Sequence, residues 1–414
     1  MARKGRLHGP YSKVSAKENP TVSRLDRILS LDDLEHAARR HLPRPVFAYV
    51  FGGVEDDAAL RDNRAAFEEL GFVPRVLVDV SRRTSAATLF GREYSAPFGI
   101  APMGISALSA YRGDLAQAKG AMACNIPMIM SGSSLIRLED VCTACPDTWF
   151  QAYLPGDRTR YLALIDRIAA AGFKTLVMTV DVAILSNREN NVRAGFSTPL
   201  RPSARLIWDG LVRPRWTFGT FLATLVRHGI PHFENNFAVR GAPIIARDVE
   251  RDLGSRDHLD WEDFEVVRKR WTGRLIMKGV MSPEDARLAC ERGVDGIIVS
   301  NHGGRQLDHT VSPLRVLPAI KSVAGDVPVM LDGGIRRGTD ILKALALGAD
   351  FVFVGRPFNY AASIAGEAGV KRAYEILQGE VLRGLGQMGI TRVGEASADY
   401  LMRIGGIRSP GMPV

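Results

Sequence analysis

Cysteine is scarce, with four in 414 residues, too few to staple a fold. That excludes a disulfide framework and agrees with a reducing compartment. Cys142 and Cys145 form a CxxC, but no second pair and no nearby histidine completes a zinc set. They fall in the helix-like stretch LEDVCTACPD and are expected to be structural, so no metal site is expected. No CxxCH is present, and residues 1–30 are too short for a haem domain. Long apolar runs are missing too. The longest uncharged stretches, 94–111 and 120–136, are broken by Pro97, Gly99, Pro102, Gly104 and Pro127, so no membrane-spanning helix is expected. The start, MARKGRLHGPYSK, has no apolar centre of the kind an export signal needs, which makes the cytoplasm the expected compartment.

What is present is the composition of one large soluble core: 46% hydrophobic and 24% charged residues. The net charge of +9 permits attraction to nucleic acid or to an anionic membrane, and where the arginines cluster decides between them. From residue 96 onward, eight short apolar runs alternate with helical patterns. They are APFGIAPM (β1, 96–103), IPMIM (β2, 126–130), DTWFQAY (β3, 147–153), TLVMTVD (β4, 175–181), RLIMKG (β5, 274–279), DGIIVSN (β6, 295–301), VPVMLDGG (β7, 327–334) and ADFVFVG (β8, 349–355). That alternation predicts an α/β fold, a (β/α)8 TIM barrel. Residues 31–70 have helical periodicity interrupted by Pro43, Pro45 and Gly52-Gly53, and read as an N-terminal helical cap. Ser282 and Thr339 are the expected N-caps of two outer helices. The alternation fails after strand 4, where about 199–260 reads as a long insertion. The expected organisation is a basic, poorly ordered segment over 1–30, the barrel over 31–402 and a tail over 403–414.

Several of the runs end in polar or glycine-rich residues, and in a barrel these ends meet at the C-terminal mouth, where active sites are built. VMLDGGIRRG and VFVGRP place Arg336 and Arg356 beside glycine turns after the last two strands, an anion cradle suited to a cofactor phosphate. SNHGGRQLD after β6 sets an imidazole, His302, three residues from a guanidinium, Arg305. The first can accept a proton near neutral pH and the second can hold a carboxylate through two hydrogen bonds. Asp181, at the end of β4, can orient that imidazole or cap the following helix. Lys278 ends an apolar run and suits an anion on a bound cofactor.

SNHGGRQLD, DGGIRRGTDILKALALGA and VGRP resemble the FMN-dependent L-2-hydroxy-acid oxidase and dehydrogenase family, and the likeness runs from about residue 32 to about 402. The resemblance implies a barrel that holds FMN and oxidises a lactate- or mandelate-like L-2-hydroxy acid to the 2-oxo acid. It assigns His302 as the base and Asp181 as its support. The substrate carboxylate would fall to Arg305 and Arg188, aided by Tyr49 and Tyr153. FMN would be held by Ser131, Gln151, Thr179, Lys278 and Ser300 around its ring, and by Asp332, Gly334, Arg336, Gly355 and Arg356 around its ribityl phosphate. A homotetramer is implied by analogy.

Two departures matter. Gly104 stands where many members carry alanine, and Ser133 where members that oxidise short acids carry tryptophan. Both enlarge the space above the flavin and favour an aryl or branched acid, and Gly104 points away from direct use of O₂. The insertion carries Arg201, Arg205, Arg213, Arg215 and Arg227 against Asp209, with Trp208, Trp216, Phe218 and Phe221 among them. This resembles the membrane-associated members, and implies a peripheral site on the inner membrane face with a quinone as acceptor. No nucleic-acid partner is expected. The alternatives are an O₂-using 2-hydroxy-acid oxidase or another phosphate-binding barrel, such as a flavin-dependent isomerase. The latter does not explain His302 together with Arg305 and Arg188.

Overall fold

The computed structural model describes residues 25–196, 203–246 and 256–404. The eight expected strands form, at Phe98–Ile100 (β1), Ile129–Ser131 (β2), Trp149–Ala152 (β3), Thr175–Thr179 (β4), Arg274–Val280 (β5), Gly296–Val299 (β6), Val329–Asp332 (β7) and Phe351–Val354 (β8). All neighbours pair in parallel, in chain order from β2 to β8, and β8 returns to β1. A bridge between Ile100 and Met128, with the Ile100 N–H donating to Pro127 O at 2.9 Å, closes the ring. The runs read as unbroken apolar segments because each strand is covered on both faces. Ile129, Val177, Ile276, Ile298, Met330 and Phe353 fill the interior, while a separate layer of buried side chains lies between strands and helices.

A hairpin, Ala87–Leu89 with Arg92–Tyr94, closes the N-terminal end of the barrel. There Phe90 packs on Trp149 and Tyr94 on Phe351, both at strand starts. The cap consists of α1 (Leu31–His41), α2 (Arg44–Phe51) and α3 (Ala58–Glu68). A Ser30–Asp33 capping box starts α1, and Pro43 ends it by forcing Leu42 into an extended conformation. The final helix, Arg356–Met388, is broken at Ala365–Gly366. Strand Leu401–Arg403 then pairs antiparallel with Leu70–Phe72, so Arg403 is tied to the cap. Residues 1–24 and 405–414, on which most of the expected N-terminal segment and tail fall, lie outside the described residues.

Two local expectations are corrected. Ser282 caps its helix as expected, but Thr339 does not. Arg337 is the N-cap there, because the Asp340 carboxylate accepts from the Arg336 and Arg337 N–H groups and starts the helix two residues earlier than a Thr339 cap would, at Gly338. In the insertion, Ala204–Leu211 and Pro214–His228 are helical, the second with a wide turn at Thr217–Leu222. Trp216 is not a surface aromatic: it is buried, donates its indole N–H to Leu108 O at 2.8 Å and stacks on Phe221. It anchors the insertion to the loop after β1. Trp208 and Phe218 are exposed, Arg201 lies outside the described residues, and nothing is described of the Arg205 side chain.

Candidate active site

The mouth of the barrel holds a cavity of about 800 Å³. His302 lines it from the turn after β6. The turn is made by three successive left-handed residues, His302 (φ +58°), Gly303 (+66°) and Gly304 (+72°). A Cβ on Gly304 would lie 2.6 Å from the Leu60 backbone nitrogen, so glycine is needed for α3 to sit against the turn. A non-glycine residue in that region carries strain, and here it aims the imidazole. His302 Nδ1 lies 2.9 Å from Asp181 Oδ1, and Nε2 lies 3.3 Å from the Tyr153 hydroxyl. Burial pushes the imidazole below its ordinary pKa, and Asp181 recovers only part of the shift. Burial raises Asp181, but His302 and Lys278 outweigh it and hold the carboxyl below its usual range. A neutral imidazole held by a carboxylate is a base ready to accept a proton at neutral pH.

Two buried guanidinium groups line the same cavity. Arg305 donates from Nη1 to Tyr49 O (2.8 Å) and Gly52 O (2.7 Å). Arg356 donates from Nε to Val50 O and from Nη2 to Gly52 O and Gly303 O. The carbonyls at the C-terminal end of α2 thus anchor both, with the negative end of that short helix beneath them. Neither arginine has a carboxylate partner among the described residues. Burial, with Arg188 second, pulls Arg305 down to about 9, and burial pulls Arg356 down to about 10. Burying a cation without an acidic partner is costly, and a bound anion would offset that cost. Arg188 reaches the cavity from the segment after β4, donating to Ser186 Oγ, Arg305 O and Gln306 Oε1.

Lys278, which lines the same cavity, donates to Ser300 Oγ at 2.8 Å and pairs with Asp332 at 3.0 Å. Burial would lower its pKa, but Asp332 and Asp181 outweigh it, so the ammonium stays charged. Ser300, Ser131 and Gln151 lie buried beneath the floor, with Ser131 Oγ donating to Gln151 Oε1. Thr179, Asp332, Gly334, Arg336, Gly355, Tyr49 and Tyr153 line the walls. Burial pushes the Tyr153 phenol up to about 12, which keeps it a hydrogen-bond donor. Arg336 donates to Ile335 O and has Glu35 of α1 at 3.6 Å. Gly334 (φ +79°) is forced: a Cβ there would lie 2.0 Å from Asn63 O.

All sixteen expected residues therefore gather in or directly under one cavity. Three features went unread. Gln306 and Asp308 stand inside the quoted motif, where His302 and Arg305 drew the attention. Asn63 and Asn301 exchange amide hydrogen bonds of 2.9 and 2.8 Å between α3 and the end of β6, a long-range pairing that carries no local signal.

A barrel with an imidazole–carboxylate pair and buried cations at its C-terminal mouth has the arrangement of an enzyme site for anionic ligands. The FMN-dependent dehydrogenase profile matches residues 38–403. (S)-mandelate dehydrogenase of Pseudomonas putida is 36% identical over 382 residues, covering 91% of this chain and 95% of its own. L-lactate dehydrogenase of Ectopseudomonas mendocina (strain ymp) is 38% identical over 376 residues, covering 90% and 98%. The crystal structure of the monotopic membrane protein (S)-mandelate dehydrogenase superposes with a TM-score of 0.83 at 35% identity, covering 91% of this chain and 99% of that one. The chain belongs to the FMN-dependent dehydrogenase family, and FMN is its cofactor.

The residues present fit that group. Gln151 Nε2, Thr179 Oγ1 and Asp332 Oδ1 are buried polar atoms with no hydrogen-bond partner among the described residues. A flavin ring edge offers both an N–H donor and carbonyl acceptors. Arg356, which has no carboxylate partner among the described residues, and the glycine turns at Gly334 and Gly355 suit a phosphate.

Proposed function

We propose that the protein oxidises an L-2-hydroxy acid with a bulky, aryl or branched R group to the 2-oxo acid, with His302 as the base. The observation that carries this reading is the His302–Asp181 pair at one cavity with Arg305 and Arg188, neither of which has an acidic partner among the described residues. Arg305 and Arg188 would hold the substrate carboxylate, with the Tyr49 and Tyr153 hydroxyls beside it. Once one proton moves to His302 Nε2, Asp181 stabilises the imidazolium. FMN, when bound, supplies a two-electron acceptor, and Lys278 places a positive charge where its ring would lie.

The R group is read from Gly104 and Ser133. They face each other: a Cβ on Gly104 would lie 3.2 Å from Ser133 Cβ and 3.0 Å from the Tyr49 hydroxyl. Phe196, stacked on Tyr49 at 4.7 Å, and Phe233 extend the wall with apolar surface. A panel of L- and D-hydroxy acids, mixed with the holoenzyme under nitrogen, tests this by bleaching of the flavin. L-mandelate or a branched L-acid should bleach it faster than glycolate. Faster bleaching by glycolate or by D-acids would overturn the assignment.

We further propose that the acceptor is a membrane quinone reached from the inner face of an anionic bilayer. Among the described residues no helix is long and apolar enough to cross a membrane. Instead, Leu185 and Val192, which line the cavity, the nearby Ile184, and Ile207, Trp208, Leu211 and Phe218 on the insertion are exposed apolar side chains. Such surface suits shallow contact with lipid.

A further inference from the structure

We propose that Gln306 is a positioning residue for the substrate carboxylate: it fixes Arg188 relative to the Asp181–His302 pair and leaves the charge of Arg188 unneutralised. The inference rests on the reading of Arg188 as a carboxylate-binding group.

Gln306 follows Arg305 on the His302 turn, and its amide is used at both ends. Oε1 accepts from Arg188 Nη2 at 2.8 Å and from Ser186 Oγ at 3.3 Å. Nε2 donates to the backbone carbonyl of Asp181 at 3.2 Å. Arg188 is held again through Nε, to Ser186 Oγ at 3.0 Å and Arg305 O at 3.2 Å. The result is a closed ring of contacts linking the end of β4, the segment after it and the turn after β6. Arg188 begins a helix that it does not cap with its side chain, and its neighbours Ile184, Leu185 and Val192 are exposed. The Gln306 amide thus supplies a side-chain tie from this segment back to the catalytic turn.

The chemistry of the tie matters as much as its length. A carboxylate at this position would hold Arg188 more strongly, but would pair with it as an ion pair and compete with the substrate. It would also add a second negative charge beside Asp181. A neutral amide accepts a hydrogen bond from the guanidinium and leaves the full positive charge to the ligand. Arg188 has no carboxylate partner among the described residues, and Ser186, which shares it, is also neutral.

The test measures Kd by flavin absorbance in the oxidised holoenzyme for two ligands. One is benzoylformate, the 2-oxo acid of mandelate; the other is 2-hydroxy-2-phenylacetamide, which has the same ring and no charge. Gln306→Ala should weaken benzoylformate about tenfold, the order expected for losing a hydrogen bond to a charged group, with the amide changed less than twofold. In turnover, KM should rise by more than kcat falls. Gln306→Glu, of the same size, should raise the benzoylformate Kd further while the amide binds as before, so that discrimination between the two collapses. Equal weakening of both ligands would show a merely structural role, and unchanged benzoylformate binding in both variants would show none; either result overturns the proposal. If Gln306→Ala loses its flavin, the same-sized Gln306→Glu carries the comparison alone. Failure of the unaltered holoenzyme to prefer the carboxylate overturns the underlying reading of Arg188, and this proposal with it.

Discussion

His302 combines a strained backbone, a carboxylate on one nitrogen and an accessible second nitrogen, and each has a measurable consequence. Replacing His302 by glutamine keeps the size and removes the proton acceptor. Flavin should remain bound, while the rate of its reduction by substrate falls roughly 10²- to 10⁴-fold; reduction at the original rate would disprove the role. The pH profile follows from the direction of the shift. The base works deprotonated and burial favours the neutral ring, so kcat/KM should stay level as pH falls to the ordinary histidine value of about 6.5. It should drop only as pH falls through the lower value in the folded enzyme. Asp181→Asn removes the charge that supports the imidazolium, and should move that acid limb lower still as the plateau rate falls. A limb above the ordinary value would contradict the buried neutral ring. Arg305→Lys keeps the charge but loses the planar fork that spans Tyr49 O, Gly52 O and the cavity. Weaker binding of L-acids with reduced preference over D-acids is expected, read from flavin bleaching. His302, Arg305, Lys278 and Asp181 were legible because each is a charged or titratable residue at the end of an apolar run. The carbonyls that hold Arg305 and Arg356 were not, since backbone groups leave no mark in a sequence.

At the scale of elements, the turn after β6 does two jobs with one motif. Asp308 turns away from the cavity and caps α3: its oxygens accept from the Asp56 N–H at 3.0 Å and the Ala59 N–H at 2.8 Å. Asp57, the residue preceding α3, makes no such bond to it. Asp308→Ala should therefore destabilise the fold by about 1 kcal/mol, the usual worth of an N-cap, measured by denaturant titration of the holoenzyme. It should also loosen the contact between the cap and the active-site turn. An unchanged midpoint would mean that water replaces the cap. Burial raises the carboxyl while the backbone N–H bonds lower it, and the net is below its ordinary value. The stabilisation is thus present at neutral pH and lost as pH falls through the acidic range. The eight strands were legible because burial on both faces makes them continuous apolar runs. Asp308 and Gln306 were hidden because their partners lie about 250 and 120 residues away in the chain. Thr339 looked like a cap because Asp340 and its two backbone partners could not be placed from sequence. At the pocket wall, Gly104→Ala together with Ser133→Trp should shift preference from mandelate-like acids toward lactate and glycolate. Retained preference for bulky acids would show that the R group points elsewhere.

At the scale of the molecule, the barrel has a separate inner core, and the insertion carries the exposed apolar side chains on which the proposed membrane contact rests. Composition alone grouped its arginines and aromatics as one basic, aromatic face, but the structure divides them. Trp216 and Phe221 face inward, Arg213 donates to Leu42 O, and Arg227 lies over the Tyr111 ring at 5.6 Å. What remains outward is Ile207, Trp208, Leu211 and Phe218, with Arg215 and the rim of Arg227 among them. Shallow insertion of the apolar side chains would be helped by arginines worth on the order of 1 kcal/mol each near an anionic surface. Removing the whole segment would also remove the Trp216 anchor on Leu108 and disturb the loop that carries Gly104. The cleaner test replaces Ile207, Trp208, Leu211 and Phe218 by serine and leaves Trp216 in place. The altered protein should keep its FMN and its reduction by substrate, yet no longer sediment with anionic vesicles at low salt and lose turnover with vesicle-borne quinone. Salt should weaken the binding of the unaltered protein by screening its arginines. If the unaltered protein fails to sediment, or turns over with O₂ as fast as with a quinone analogue, the exposed apolar face serves another contact and the acceptor is not in the membrane.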